Sequence, residues 1–139
     1  MLGWASTYVG LPFEVAGRTK EGCDCWGLVY LVEKEIFHVD VPILRLDYSL
    51  APEELRELAS TTYSTLNYPK VEVPEEGNIV FMNLFGQEFP SHVGIYLNDG
   101  FVLHSDPLGR GLSRIQRIDV PPIANRIEGI YRAESRRHF

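Results

Sequence analysis

Cysteine is scarce in this chain. Its 139 residues carry two, Cys23 and Cys25, with Asp24 alone between them. A bridge between two such close cysteines would close a strained ring, so a disulfide-stapled scaffold is not expected and both thiols read as reduced. No apolar run approaches the length of a membrane span, and the opening MLGWASTYVG lacks the basic and long apolar regions of a signal peptide. The expectation is a protein without a membrane span, made in a cytoplasm. Positive charge is also thin: 13 basic against 19 acidic side chains give a net charge of -6, and the only basic concentration is the terminal ESRRHF. Nucleic acid is therefore not an expected partner, because phosphate binding needs a clustered basic surface. Repeats and low-complexity tracts are absent as well.

What remains is ordinary globular composition, 45% hydrophobic and 23% charged, long enough to bury a core as one domain over residues 1–139. Two halves differ in pattern. Residues 4–37 read as largely helical, with VAGRTKEG as a polar loop inside them. Cys25, Leu28, Val29, Val32 and Ile36 make one buried helical stripe, with Glu33, Lys34 and Glu35 on the solvent side. Asp24 stands at the N-cap position. Prolines break up residues 38–75, leaving PEELRELAST (52–61) as a helix with Pro52 in its first turn. From residue 78 the chain reads as strands: NIVFMNL, SHVGIYL, FVLHS, LSRIQRI and RIEGIYR. Helices followed by strands predict an α+β domain, N-terminal helices packed on a largely antiparallel sheet of five or six strands.

The hairpin at 91–105 has a register that can be derived. Val93, Ile95, Leu97, Phe101 and Leu103 share one parity, so a common buried face requires Leu97 opposite Phe101 across the loop Asn98-Asp99-Gly100. His92, Gly94, Tyr96, Val102 and His104 then share the other face, with His92 and His104 diagonal neighbours. A cysteine in the first turn of a helix has its thiol pKa lowered by the helix dipole, and a facing histidine can take its proton. A further polar group on that histidine fixes its tautomer. Cys25, His92 and His104 fit these roles in that order, with the Cys25 backbone amide as an oxyanion donor.

The run GLPFEVAGRTKEGCDCWGLV, PEEGNIVFM, SHVGIYL and FVLHSD resembles the NlpC-type cysteine peptidases, papain-like hydrolases of the bacterial cell wall. It is similar in particular to the branch found in bacteriophage tail assembly and tail-tip proteins. The resemblance covers residues 10–106. It implies a papain-like fold, no metal or other cofactor, and a Cys25-His92-His104 triad. The implied reaction is hydrolysis of amide bonds in peptidoglycan stem peptides. Phage-like tail or baseplate proteins are the implied partners, and a tail particle is the implied location. Asp24 and Phe13 are the supporting residues of the site. Two positions depart from the family pattern. Trp26 replaces a serine, and Phe13 replaces a tyrosine whose hydroxyl reaches into the site, leaving Tyr8 or Tyr96 to replace it.

Competing readings attach to the same residues. Cys25 can be an inert buried thiol, and the two histidines can be structural. Cys23 reads as a small packing residue, His38 as a partner of helix-end carbonyls, His138 as part of the tail, and Asp106 as a turn residue. A zinc site from Cys23, Cys25, His92 and His104 has the wrong cysteine spacing. A structural tail protein with lapsed catalysis, motivated by Phe13, is the rival function, and an acyl-transfer enzyme on the same frame is a third.

Overall fold

The computed structural model describes residues 3–83, 88–105 and 111–135. Asp106, His138 and Leu84, the last residue of the first expected strand, lie outside them. Elements follow in the order β1 (Arg18–Thr19), β2 (Gly22–Cys23), α1 (Cys25–Val32), α2 (Pro52–Ser64), β3 (Ile79–Asn83), β4 (Pro90–Leu97), β5 (Phe101–Ser105), β6 (Ser113–Arg117) and β7 (Ile127–Tyr131). β1 and β2 form a small hairpin, and the other strands form an antiparallel sheet in the order β6-β5-β4-β3-β7. The α+β expectation holds, and each of the five main strands falls within a residue or two of its expected span.

The sheet follows from period-2 alternation. Ile79, Ile95, Leu103 and Ile115 lie side by side across β3, β4, β5 and β6. That face packs against Leu28, Val29 and Val32 of α1, all at 0% exposure. Val80, Met82 and Val102 form a second cluster with Ile123 on the other side. The derived hairpin register is the observed one, with Leu97 opposite Phe101. Asp99 and Gly100 take the left-handed backbone that such a loop demands. Gly94 is needed for room: a Cβ there would meet Leu103 O at 2.9 Å and His104 Cβ at 3.0 Å.

The N-terminal half departs from the helical expectation for residues 4–37. A short 3-10 turn covers Gly3–Tyr8, and the supposed polar loop contains the β1–β2 hairpin. Regular α-helix is confined to α1, which runs on into a π-helical turn at Glu33–Phe37. Period 3.6 is a poor guide here because α1 is buried nearly all round, so it has no polar stripe. His38 ends the turn in the left-handed region and uses its backbone N–H, not its imidazole, to bond the Glu33 carbonyl. α2 extends three residues past its expected end, with Pro52 in its first turn.

Glu33, expected on the solvent side, is 1% exposed. The π turn rotates the chain at this point, and carboxyl Oε2 is left with no hydrogen-bond partner. Burial pushes its pKa from 4.5 up to about 8. The unfolded chain ionises near 4.5 while the folded chain stays protonated to about 8, so stability falls as pH rises through that window. Urea unfolding of Glu33→Gln should therefore match the wild type near pH 4.5. It should exceed the wild type by about 4 kcal/mol at pH 8; equal stability at both pH values would show that this carboxyl is not buried as described.

Candidate active site

Asp24 builds the start of α1. Its Oδ1 accepts from the Gly27 amide at 2.7 Å, the N-cap bond, and its Oδ2 accepts from the Ala16 amide at 2.8 Å. One carboxylate thus joins helix α1 to the loop ahead of the small hairpin. The helix and loop can approach this closely because Gly27 carries no side chain; a Cβ there would collide with the Gly17 carbonyl. Burial raises the Asp24 pKa, while the Gly27 and Ala16 amides and Arg18 pull it back down. Cys25 follows as the first helical residue, so its N–H has no acceptor within the helix.

The Cys25 thiol is 2% exposed and packs with Val93 and Ile95 in the cluster between α1 and the sheet. Its Sγ lies 2.8 Å from the Tyr48 hydroxyl and also takes a hydrogen bond from the Val93 backbone amide. The Tyr48 hydroxyl donates its single proton to the Ser91 carbonyl at 2.9 Å. A carbonyl can only accept, so the bond between Cys25 and Tyr48 has the thiol as donor. Burial, reinforced by the neighbouring Asp24 carboxylate, pushes the thiol pKa up to about 12. The expected lowering by the helix dipole is overturned: desolvation of a thiolate in a dry cluster outweighs a partial charge at the helix end.

His92 and His104 converge as their parity requires. His92 Nε2 lies 2.8 Å from His104 Nδ1, with the rings edge-on at 73° and both residues at 0% exposure. His104 Nε2 in turn lies 2.6 Å from Gln116 Oε1. Burial, then His104, Arg126 and Arg114, hold the His92 pKa well below its ordinary value, so the ring is neutral near pH 7. Its Nδ1 is buried and has no hydrogen-bond partner. No hydrogen bond joins Cys25 to His92. The thiol meets β4 at the Val93 amide, one residue along from His92.

The structure thus unites His92 with His104 but not with Cys25, which packs on the other face of β4 and is held by a residue that sequence reasoning missed. Tyr48 lies in the irregular stretch between the π turn and α2. It packs edge-on to Phe13 with ring centroids 6.3 Å apart. The hydroxyl reaching the thiol belongs to Tyr48 and not to the two residues expected to replace it. Tyr8 donates to Glu35 at 2.6 Å, and Tyr96 lies on the opposite face of β4 from Val93. Trp26 is 3% exposed and uses its indole N–H to hold the Pro42 carbonyl, so it anchors the Tyr48 stretch. Cys23 packs at 0% exposure in β2, and its carbonyl accepts from the Ser105 hydroxyl. A cavity of about 350 Å³ lies between α2 and the sheet, walled by Tyr63, Phe81 and Tyr131 and including neither Cys25 nor His92.

A model described as the NlpC/P60 family matches residues 10–132. The chain belongs to the NlpC/P60 family. Murein DD-endopeptidase MepH of Escherichia coli (strain K12) is 27% identical over 103 residues, which are 73% of this chain and 34% of that protein. The chain therefore spans about a third of the length of this curated relative. Among solved structures, an NlpC/P60 family protein from Bacillus cereus ATCC 10987 superposes with a TM-score of 0.65 at 21% identity, covering 93% of this chain and 37% of that one. The NlpC/p60 domain of the peptidoglycan hydrolase SagA superposes with a TM-score of 0.59 at 19% identity and covers 91% of each chain. These likenesses establish the fold. Among the described residues, no cluster of three or more His, Cys, Asp or Glu is arranged to hold a metal, and no helix is long and apolar enough to cross a membrane.

A buried thiol that donates to Tyr48 should be unreactive in the free protein. Iodoacetamide at pH 8, followed by peptide mapping, should alkylate Cys25 at least about tenfold more slowly than a free cysteine, since only the thiolate reacts. Tyr48→Ala, which removes one hydrogen bond but not the burial, should raise that rate only a few-fold. Fast labelling of the unaltered protein would show that the thiol is not held in this way.

Proposed function

We propose that this chain is a cysteine peptidase that hydrolyses amide bonds in peptidoglycan stem peptides. The observation that carries the reading is the NlpC/P60 match over residues 10–132, within which Cys25 is the first residue of a capped helix and His92 is a buried neutral histidine whose Nδ1 has no hydrogen-bond partner. In the proposed reaction His92 Nδ1 takes the thiol proton and the sulfur attacks the substrate carbonyl carbon. The resulting oxyanion is met by the Cys25 backbone N–H. The imidazolium returns its proton to the leaving amine, and water then hydrolyses the thioester with His92 again as base. His104 orients His92 and does not touch substrate. The substrate class is supported by the family and by the names of the relatives, a murein endopeptidase and a peptidoglycan hydrolase.

The finer setting belongs to the same proposal. The motif run around Asp24-Cys25-Trp26-Gly27 resembles the phage-tail branch, which supports synthesis in a bacterial cytoplasm and assembly into a phage-like tail that opens the wall locally. Bacterial wall polymers are anionic, so a chain of net charge -6 gains little steering toward them. Docking on tail or baseplate partners would supply the local concentration. One observation favours a second reading, a structural tail protein with lapsed chemistry: the thiol is bonded to Tyr48 and not to His92.

Defined muropeptides incubated with the protein and, separately, with Cys25→Ala separate the two. Mass spectrometry should find new stem-peptide fragments with the first and none with the second. No fragments from either, in reductant and across several wall chemistries, would favour the structural reading.

A further inference from the structure

Three adjacent strands carry one slanting line of polar side chains on the sheet face away from α1. His92 is on β4, His104 on β5 and Gln116 on β6. Val102 pairs with Gln116 and His104 with Arg114, so Gln116 is the diagonal neighbour of His104, as His92 is from the other side. Each ring nitrogen along the line has a defined partner until the last. Gln116 Oε1 meets His104 Nε2 at 2.6 Å, His104 Nδ1 meets His92 Nε2 at 2.8 Å, and His92 Nδ1 meets nothing.

An amide oxygen can only accept, so His104 Nε2 must carry a proton. With the ring neutral, His104 Nδ1 is then an acceptor, and His92 Nε2 is the donor to it. A neutral His92 has no second proton, so its Nδ1 is a bare lone pair. We propose that Gln116 is a positioning residue that sets the proton order of the whole line and so makes His92 Nδ1 the basic nitrogen. An inverted amide, with its NH2 toward His104, would reverse both tautomers and put a proton on His92 Nδ1. Among the described residues, the charged groups facing the pair are Arg114 on β6 and Arg126 just ahead of β7, and both oppose protonation of His92. Gln116 supplies direction with no charge. The catalytic consequence rests on the reading of His92 as the base, but the tautomers themselves do not.

The test uses the full chain with 15N-labelled histidine and two-bond proton–nitrogen correlation spectra at pH 7.5, alongside muropeptide kinetics. The unaltered protein should show Nε2–H on both His92 and His104. Gln116→Leu, which removes the acceptor, should shift a large share of both rings to Nδ1–H and lower kcat about 10- to 100-fold with KM little changed. Gln116→Glu keeps an acceptor of the same length and adds charge. It should keep both tautomers and move the acid limb of kcat/KM, and the imidazole titration, upward by about one pH unit. A His92 Nδ1–H signal in the unaltered protein, or unchanged tautomers in Gln116→Leu, would overturn the inference. Should Gln116→Leu not fold, an unmoved imidazole titration in Gln116→Glu would overturn it instead. If the unaltered protein cleaves nothing yet shows the expected tautomers, the peptidase reading fails and the assignment of Gln116 stands.

Discussion

The carboxylate of Asp24 is the joint on which the site depends. It is 4% exposed, and its two oxygens are bound to backbone amides of two different elements, α1 at Gly27 and the loop at Ala16. A buried carboxylate without such donors would be costly, whereas two charge-assisted bonds offset much of that cost. The joint fixes where α1 begins, and the beginning of α1 fixes the position of Cys25. The side-chain-free contact between Gly17 and Gly27 lets the two elements close on the carboxylate. The same charge, however, disfavours a thiolate at the next residue. Positioning the nucleophile and ionising it therefore pull in opposite directions at this helix start.

Beyond the joint, two finished hydrogen-bonded sets meet at β4 without sharing a bond. One contains Cys25, Tyr48 and the Ser91 carbonyl; the other contains His92, His104 and Gln116. Ser91, His92 and Val93 are consecutive, so a single turn of strand presents a carbonyl to Tyr48, an imidazole to His104 and an amide to the thiol. Tyr48 is itself tied down at a distance. Leu46 sits in a separate cluster with Leu55, Ala59 and Phe89, and the Trp26 indole holds Pro42. The stretch that leads to Tyr48 is thus packed in place by both α1 and α2.

These contacts explain what could be read from the amino-acid order and what could not. Strand positions, the hairpin register and the convergence of His92 on His104 follow from period-2 parity, a property local to each strand. Asp24 as a cap and Cys25 as the first helical residue follow from a signature of four residues. Tyr48 has no such signal: no period runs through residues 38–51, and its place is set by contacts with residues far away in the chain. Gln116 was not legible: the apolar residues of its strand fall on both parities, and its register opposite Val102 depends on a β5–β6 connection too long to derive. Glu33 and the thiol pKa were misread for one shared reason. Both depend on how dry the surroundings are, and burial all round a helix erases the polar stripe that would reveal its depth.

Magnitudes decide what keeps the thiol inert. Parting Cys25 from Tyr48 gives up one neutral hydrogen bond, a net loss of about 0.5–1.5 kcal/mol. Ionising a thiol whose pKa stands at about 12 costs about 7 kcal/mol at pH 7. The bond to Tyr48 is therefore a minor part of the barrier, and burial is the major part. Movement of Tyr48 alone would leave an un-ionised thiol in a dry cluster. Removing the thiol proton needs a positive partner to form close by, and none is hydrogen-bonded to the thiol: His92, whose Nδ1 has no partner, belongs to the β4 face away from α1. The low basicity of His92 and the weak acidity of Cys25 have the same origin, desolvation, which favours the neutral form of each and so opposes ionisation of either in the core.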